Sequence, residues 1–79
     1  MTLTREEIDR TMAEALLDGL VAGEHIDSYS LLFNESTQRY QAEGQRLDAK
    51  WETGSNVYAF YAAEQLARSI LYQTRVDGK

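Results

Sequence analysis

Few residues in this chain are of a type that could do chemistry. One histidine, His25, stands two residues before Asp27, and there is no cysteine to accompany it. A lone His-x-Asp pair falls short of the four ligands of a structural zinc site, and an imidazole oriented by an aspartate still needs a nucleophile that its neighbours do not supply. Glu14 and Asp18 form a carboxylate pair at i,i+4, but acid/base work needs surroundings that drive two carboxyl pKa values apart, and a solvated helix face does not. Neither a glycine-rich phosphate loop nor a Ser/His/Asp or Cys/His set occurs. Asn34-Glu35-Ser36 matches the glycosylation sequon, which has meaning only in a secreted chain, and the Gly19/Gly23 spacing reads as a helix end. The expectation is a non-enzymatic protein that uses no metal and no cofactor.

The chemistry of recognition is better represented. Between Ser55 and Arg75 an apolar stripe of Phe60, Ala63, Ala67, Ile70 and Leu71, flanked by Ala59 and Leu66, follows a helix advancing about 100° per residue. Offset from it runs a second stripe, Tyr58, Tyr61, Gln65, Arg68 and Tyr72, with no obvious place in a core. Tyrosine and arginine are among the residues that concentrate binding energy at interfaces. In a bundle the same tyrosines could instead sit at the core boundary with their hydroxyls in water.

Charge is uneven along the chain. Residues 1 to 35 carry eight acids and two bases, so the net charge of −5 belongs to the front half. There Glu7, Glu14 and Asp18 gather on one flank of a helix. A negative field of this kind repels nucleic acid and attracts basic partners, and direct DNA or RNA binding is disfavoured without a Lys/Arg patch to displace counterions. In size, acidity and lack of cysteine the chain is similar to small phage-encoded inhibitors of bacterial defence such as anti-CRISPR proteins, some of which imitate the charge of DNA. That resemblance implies an inhibitor or adaptor occupying a basic, nucleic-acid-binding surface of a partner protein. The alternative is a structural or regulatory homo-oligomer, such as a homodimer, joined through Tyr58, Tyr61 and Tyr72 or through a Leu17/Val21 patch.

The elements that must hold these residues read as follows. Thr4 and Glu7 stand at capping-box spacing, and Leu3 and Ile8 at hydrophobic-staple spacing, which together start a helix. Ile8, Met12, Ala15, Leu16, Gly19 and Leu20 form its main apolar side, while Leu17 and Val21 point elsewhere. Two apolar sides on one short helix ask for two neighbours. Gly23 is the expected stop, in the left-handed conformation that glycine tolerates. From Asp27 to Thr53 two patterns compete. Phe33, Tyr40 and Leu47 recur every seven residues, with Tyr29, Thr37, Gly44 and Trp51 in complementary positions, and the composition of 38–52 favours helix. Read as sheet, Tyr40 and Ala42 alternate before a turn at Glu43-Gly44, Leu47, Ala49 and Trp51 alternate after it, and Tyr29, Leu31 and Phe33 supply an earlier strand.

The sequence thus predicts an all-α three-helix bundle over 4–22, 28–53 and 55–75, with Gly54 ending the second helix and Ser55 or Asn56 capping the third. An α+β fold, α-β-β-β-α with a meander in 28–52, is the alternative. Seventy-nine residues make a single domain, 1–79, of modest stability. No stretch approaches the ~20 apolar residues that span a bilayer, the amino terminus lacks a signal-peptide pattern, and cysteine is absent, so a soluble, cytoplasmic protein is expected.

Overall fold

The computed structural model describes residues 2–77, with side chains described as far as residue 71. Its elements in order are α1 (Arg5–Ala22), β1 (Ile26–Asn34), β2 (Arg39–Arg46), β3 (Trp51–Asn56) and α2 (Ala59–Asp77). The three strands form one antiparallel sheet in the order β1-β2-β3. The all-α bundle is therefore wrong, as is the helix over 28–53, and the α-β-β-β-α alternative describes the chain. Both helices lie on one face of the sheet, α1 against β1 and α2 across β2 and β3 and along α1.

The middle segment is sheet because its period-2 pattern meets a helix and its period-7 pattern meets nothing. Tyr40, Ala42 and Gly44 point towards the helices and are buried, while Gln41, Glu43 and Gln45 point to the open face. Phe33 and Tyr40 do touch, with ring centroids 4.9 Å apart, but as a cross-strand pair in register. Leu47 and Trp51, expected in the helical seam, are more than half exposed. The turn lies at Leu47–Lys50, later than Glu43-Gly44. There Arg46 and Lys50 bond through their backbones at 2.7 Å, Asp48 Oδ1 accepts the Lys50 N–H, and Ala49 takes a φ of 71°. The β1–β2 turn is held by Asn34, whose Oδ1 accepts the N–H groups of Ser36 and Thr37.

Helix α1 begins as its sequence says: Thr4 Oγ1 accepts the Glu7 N–H and Glu7 Oε1 accepts the Thr4 N–H, both at 3.1 Å. It ends at Gly23, yet the glycine keeps φ at −83° and the next residue, Glu24, takes the left-handed conformation at φ 60°. The side that it buries lies between the two expected ones, taking Leu17 from the second and Leu20 from the first. Ala13, Leu17 and Leu20 are in the core, whereas Ile8 and Met12 are 44% and 48% exposed. Helix α2 buries Ala59, Ala62, Ala63, Leu66, Ala67 and Ile70; Phe60 lies at the margin and Leu71 is exposed, so two expected core residues sit outside it.

The core is built on small residues. Beside Leu17, Ile26, Leu66 and Ile70, the large side chains that are fully buried, most of its members are alanines. That composition follows from how closely α2 approaches the sheet. Gly54, read from sequence as a helix end, lies mid-strand in β3 directly beneath α2. A Cβ there would collide with the Ala62 carbonyl oxygen and stand 2.7 Å from the Leu66 backbone nitrogen. Gly44, diagonal to it in β2 and opposite Glu52, sits under the side chains of Leu66 and Ile26.

A matched pair of substitutions tests this. Gly54→Ala places a methyl group against helix backbone and is expected to destabilise the fold by about 2 kcal/mol or more, as overpacking of a tight core does. Gly19→Ala, in an exposed turn of α1 with nothing within 4 Å of its added carbon, should stabilise by roughly 0.5–1 kcal/mol. Chemical denaturation followed by circular dichroism measures both, and equal midpoints for the two variants would refute the close-contact account.

Candidate functional site

The candidate site lies at the end of the molecule where both helices begin. The chain reverses direction four times between the two helices, at α1–β1, β1–β2, β2–β3 and β3–α2, so α2 leaves the sheet at the end where α1 started, and the two helices run parallel. Two parallel helices bring their positive N-terminal ends together, and carboxylates are the groups that such an arrangement favours. Asp9, in the second turn of α1, accepts the N–H groups of Ala59 and Phe60 at 2.6 and 2.9 Å. A residue fifty positions away thus caps α2, whose own preceding residue, Tyr58, has no side chain suited to it. Asn56, one of the expected caps, accepts the Tyr58 N–H instead. Glu6 accepts the Tyr40 hydroxyl proton at 2.9 Å, which fastens α1 to β2; burial, and then this bond, raises the Tyr40 phenol above its ordinary pKa.

These ties hold in place a set of large side chains that the core does not use. Ile8 and Met12 from α1 and Phe60 and Tyr61 from α2, with Tyr58 before it, line a groove of about 410 Å³ whose charged members are Arg5 and Asp9. Tyr58 and Tyr61 are 58% and 49% exposed and meet edge to face at 5.8 Å. Tyr58 is fixed by its backbone, which accepts the Ala62 N–H and donates to Asn56. A second cleft of about 430 Å³ opens on the other side of Tyr58, towards Phe33, Tyr40 and Val57.

The residues singled out in the sequence divide among three places. Tyr58 and Tyr61 join the groove. Gln65 and Arg68 do not: Gln65 Oε1 accepts the Ser55 N–H, tying α2 to β3, and Arg68 pairs with Glu64 at 3.5 Å on the outer surface. Tyr72 lies outside the residues whose side chains are described. Glu7, Glu14 and Asp18, seven and four residues apart, form an exposed line along α1. Glu7 and Glu14 border a shallow depression with Leu3, Arg10 and Thr11, while Asp18 Oδ1 accepts the Tyr29 hydroxyl proton at 2.7 Å. Hydrogen bonds from the Thr4 backbone and then its side chain hold the Glu7 carboxyl below its usual pKa. His25 and Asp27 are both exposed, and among the described residues no group of three or more His, Cys, Asp or Glu is placed to hold a metal ion.

Sequence reasoning missed Ile8, Met12, Phe60 and Asp9 as surface or positioning residues. The signal for Ile8 and Met12 was the doubled apolar side of α1; Phe60 had been placed in the core stripe of α2. Nothing local could reveal the Asp9 cap. No family model matches the sequence, and no curated protein or solved structure matches it. Among the described residues no helix is long and apolar enough to cross a membrane.

Two measurements follow. Asp9→Ala, which strips the acceptor from two helix-end amides, should cost about 0.5–2 kcal/mol, with Asp9→Asn recovering part of it. Hydrogen exchange should quicken at Ala59 and Phe60 in the alanine variant, and unchanged exchange there would disprove the cap. The Tyr29 phenol, bonded to Asp18 and near Glu14, is pushed up to about 12. A raised pKa stabilises the fold below the unfolded value near 10 and ceases to do so as pH climbs through about 12. Stability should therefore fall across that interval, and Tyr29→Phe should flatten the fall when unfolding is followed against pH.

Proposed function

We propose that this protein is a non-enzymatic binding module that occupies a basic surface of a partner protein, acting as an inhibitor or adaptor. The observation that carries this reading is the pairing of two exposed strips on one helix. The line Glu7, Glu14, Asp18 runs beside the line Ile8, Met12, roughly 100–140° further round α1 at about 100° per residue. The second line continues into Phe60, Tyr58 and Tyr61 across the groove.

Each strip has its own part. Exposed carboxylates steer a basic partner and raise its association rate, over distances limited by a screening length of roughly 8 Å at physiological salt. Aromatic and long apolar side chains already held in place give up little entropy on contact and supply most of the energy at an interface. Action by occupying a nucleic-acid-binding surface, as small phage-encoded anti-defence proteins do, fits the size and charge of the chain. A homo-oligomer is the second reading, favoured by the half-exposed Ile8 and Met12, which a second copy would cover.

Light scattering and affinity capture from extracts of the encoding organism separate the two. The charge variant is Glu7→Gln with Glu14→Gln and Asp18→Asn, since glutamine can still accept the Thr4 N–H and asparagine the Tyr29 hydroxyl. Under the capture reading the protein is monomeric, and its partner is released by salt. The partner should also be lost from the charge variant and weakened roughly thirtyfold or more by Tyr61→Ala, the scale of one hot-spot residue. A tight dimer indifferent to salt and to the charge variant, but broken by Met12→Ala or Tyr61→Ala, would replace capture with self-assembly.

A further inference from the structure

The cleft on the far side of Tyr58 has a chemistry of its own. Its walls are aromatic and apolar: Phe33 and Tyr40 at one side, their rings tilted by 56°, with Val57 and Tyr58 opposite, each more than half exposed. Its polar lining is unlike that of an ordinary apolar groove. Glu6 and Asp9 bring two carboxylates, Gln38 a neutral amide, and Arg5 a guanidinium shared with the neighbouring groove, so the charged groups facing the cleft sum to −1. Asp9 already accepts two backbone N–H groups, whereas the bond recorded for Glu6 is the one from Tyr40, and a carboxylate can accept about four.

This combination discriminates among ligands. An anion would meet two carboxylates. A purely apolar occupant would strip water from Glu6 and give nothing back, which is the costly way to bury a charge. A cation on an apolar stem meets neither difficulty, because its head reaches a carboxylate and the faces of tyrosine and phenylalanine rings, which attract positive charge, while its stem lies along Val57 and Tyr58. We propose that this cleft receives a lysine or arginine side chain projected by the basic partner. The assignment rests on the capture reading above and adds to it the point at which one residue of the partner is recognised.

The test uses the isotope-labelled full chain and three blocked tripeptides, Gly-Lys-Gly, Gly-Arg-Gly and Gly-norleucine-Gly, followed by amide chemical shifts. The lysine or arginine peptide should shift the amides of Phe33, Gln38, Tyr40, Val57 and Tyr58 saturably, and the norleucine peptide, which keeps lysine's four-carbon stem without its charged head, should bind roughly tenfold more weakly or worse. Glu6→Gln, which keeps an acceptor for the Tyr40 hydroxyl, should weaken the cationic peptides by a similar factor, and Tyr58→Ala should do the same. Arg5→Gln, by removing the positive charge facing the cleft, should tighten them. Equal binding of the norleucine peptide, an indifferent Glu6→Gln, or weaker binding in Arg5→Gln would overturn the assignment. Saturable shifts confined to the amides around Glu7, Glu14 and Asp18 would also overturn it while leaving charge capture standing. No saturable shift from either cationic peptide would remove the cleft, and capture would then be judged by its own salt and charge-variant behaviour.

Discussion

The closeness of α2 to β3 at Gly54 is the constraint on which the rest of the structure depends. A helix can lie with its backbone against a strand only where the strand offers no side chain, and here the approach is such that even a methyl group has no room. The facing side of α2 must then be small as well, which explains Ala59, Ala62, Ala63 and Ala67 at positions where a helix of this size would ordinarily bury leucine. Small residues bury little apolar area each. The fold accordingly relies on four large anchors, Leu17, Ile26, Leu66 and Ile70, and on hydrogen bonds made at helix ends.

A flat, alanine-lined seam also decides which side of α1 goes inward. Ala13, Leu17 and Leu20 go inward against it, while Ile8 and Met12 stay at the rim. The exposed apolar strip is thus a by-product of close packing. A thin core leaves large side chains over, and they collect where the two helices begin, beside Tyr58 and Tyr61. That an interface could form there follows from the same geometry that keeps those residues out of the core.

How much of this was legible depends on how local each cause is. The start of α1 could be read because a capping box is written within four residues, and α2 could be read because its apolar period is sustained over several turns. The sheet was legible only as an alternative. Its helix-favouring composition, Gln, Glu, Ala, Arg and Leu, outweighed an alternation interrupted by Ala42, Gly44 and Gly54, which look like weak strand residues until a helix is laid over them. Gly54 was read as a helix end, and Gly44 as a turn residue in the sheet alternative, because conformational freedom is the usual reason for a glycine, and here the reason was space. Of the tyrosine stripe, Tyr58 and Tyr61 line the groove, whereas Gln65 makes a sheet contact and Arg68 a surface ion pair, a division that periodicity alone cannot express.

The parallel helices give the acidic front half a meaning that net charge alone conceals. Of the carboxylates that make it negative, Glu6 is bonded to Tyr40, Glu7 closes the capping box, Asp9 caps α2 and Asp18 holds Tyr29. Two converging N-terminal dipole ends require negative charge, and the sequence supplies it from the first turns of α1. Each bonded carboxylate still carries its charge outward, but it is fixed in direction, so the surface is a rigid pattern of charge around an aromatic rim. On the capture reading proposed above, a pattern of that kind discriminates among basic surfaces by shape as well as by sign, since positive groups must fall where the carboxylates already point.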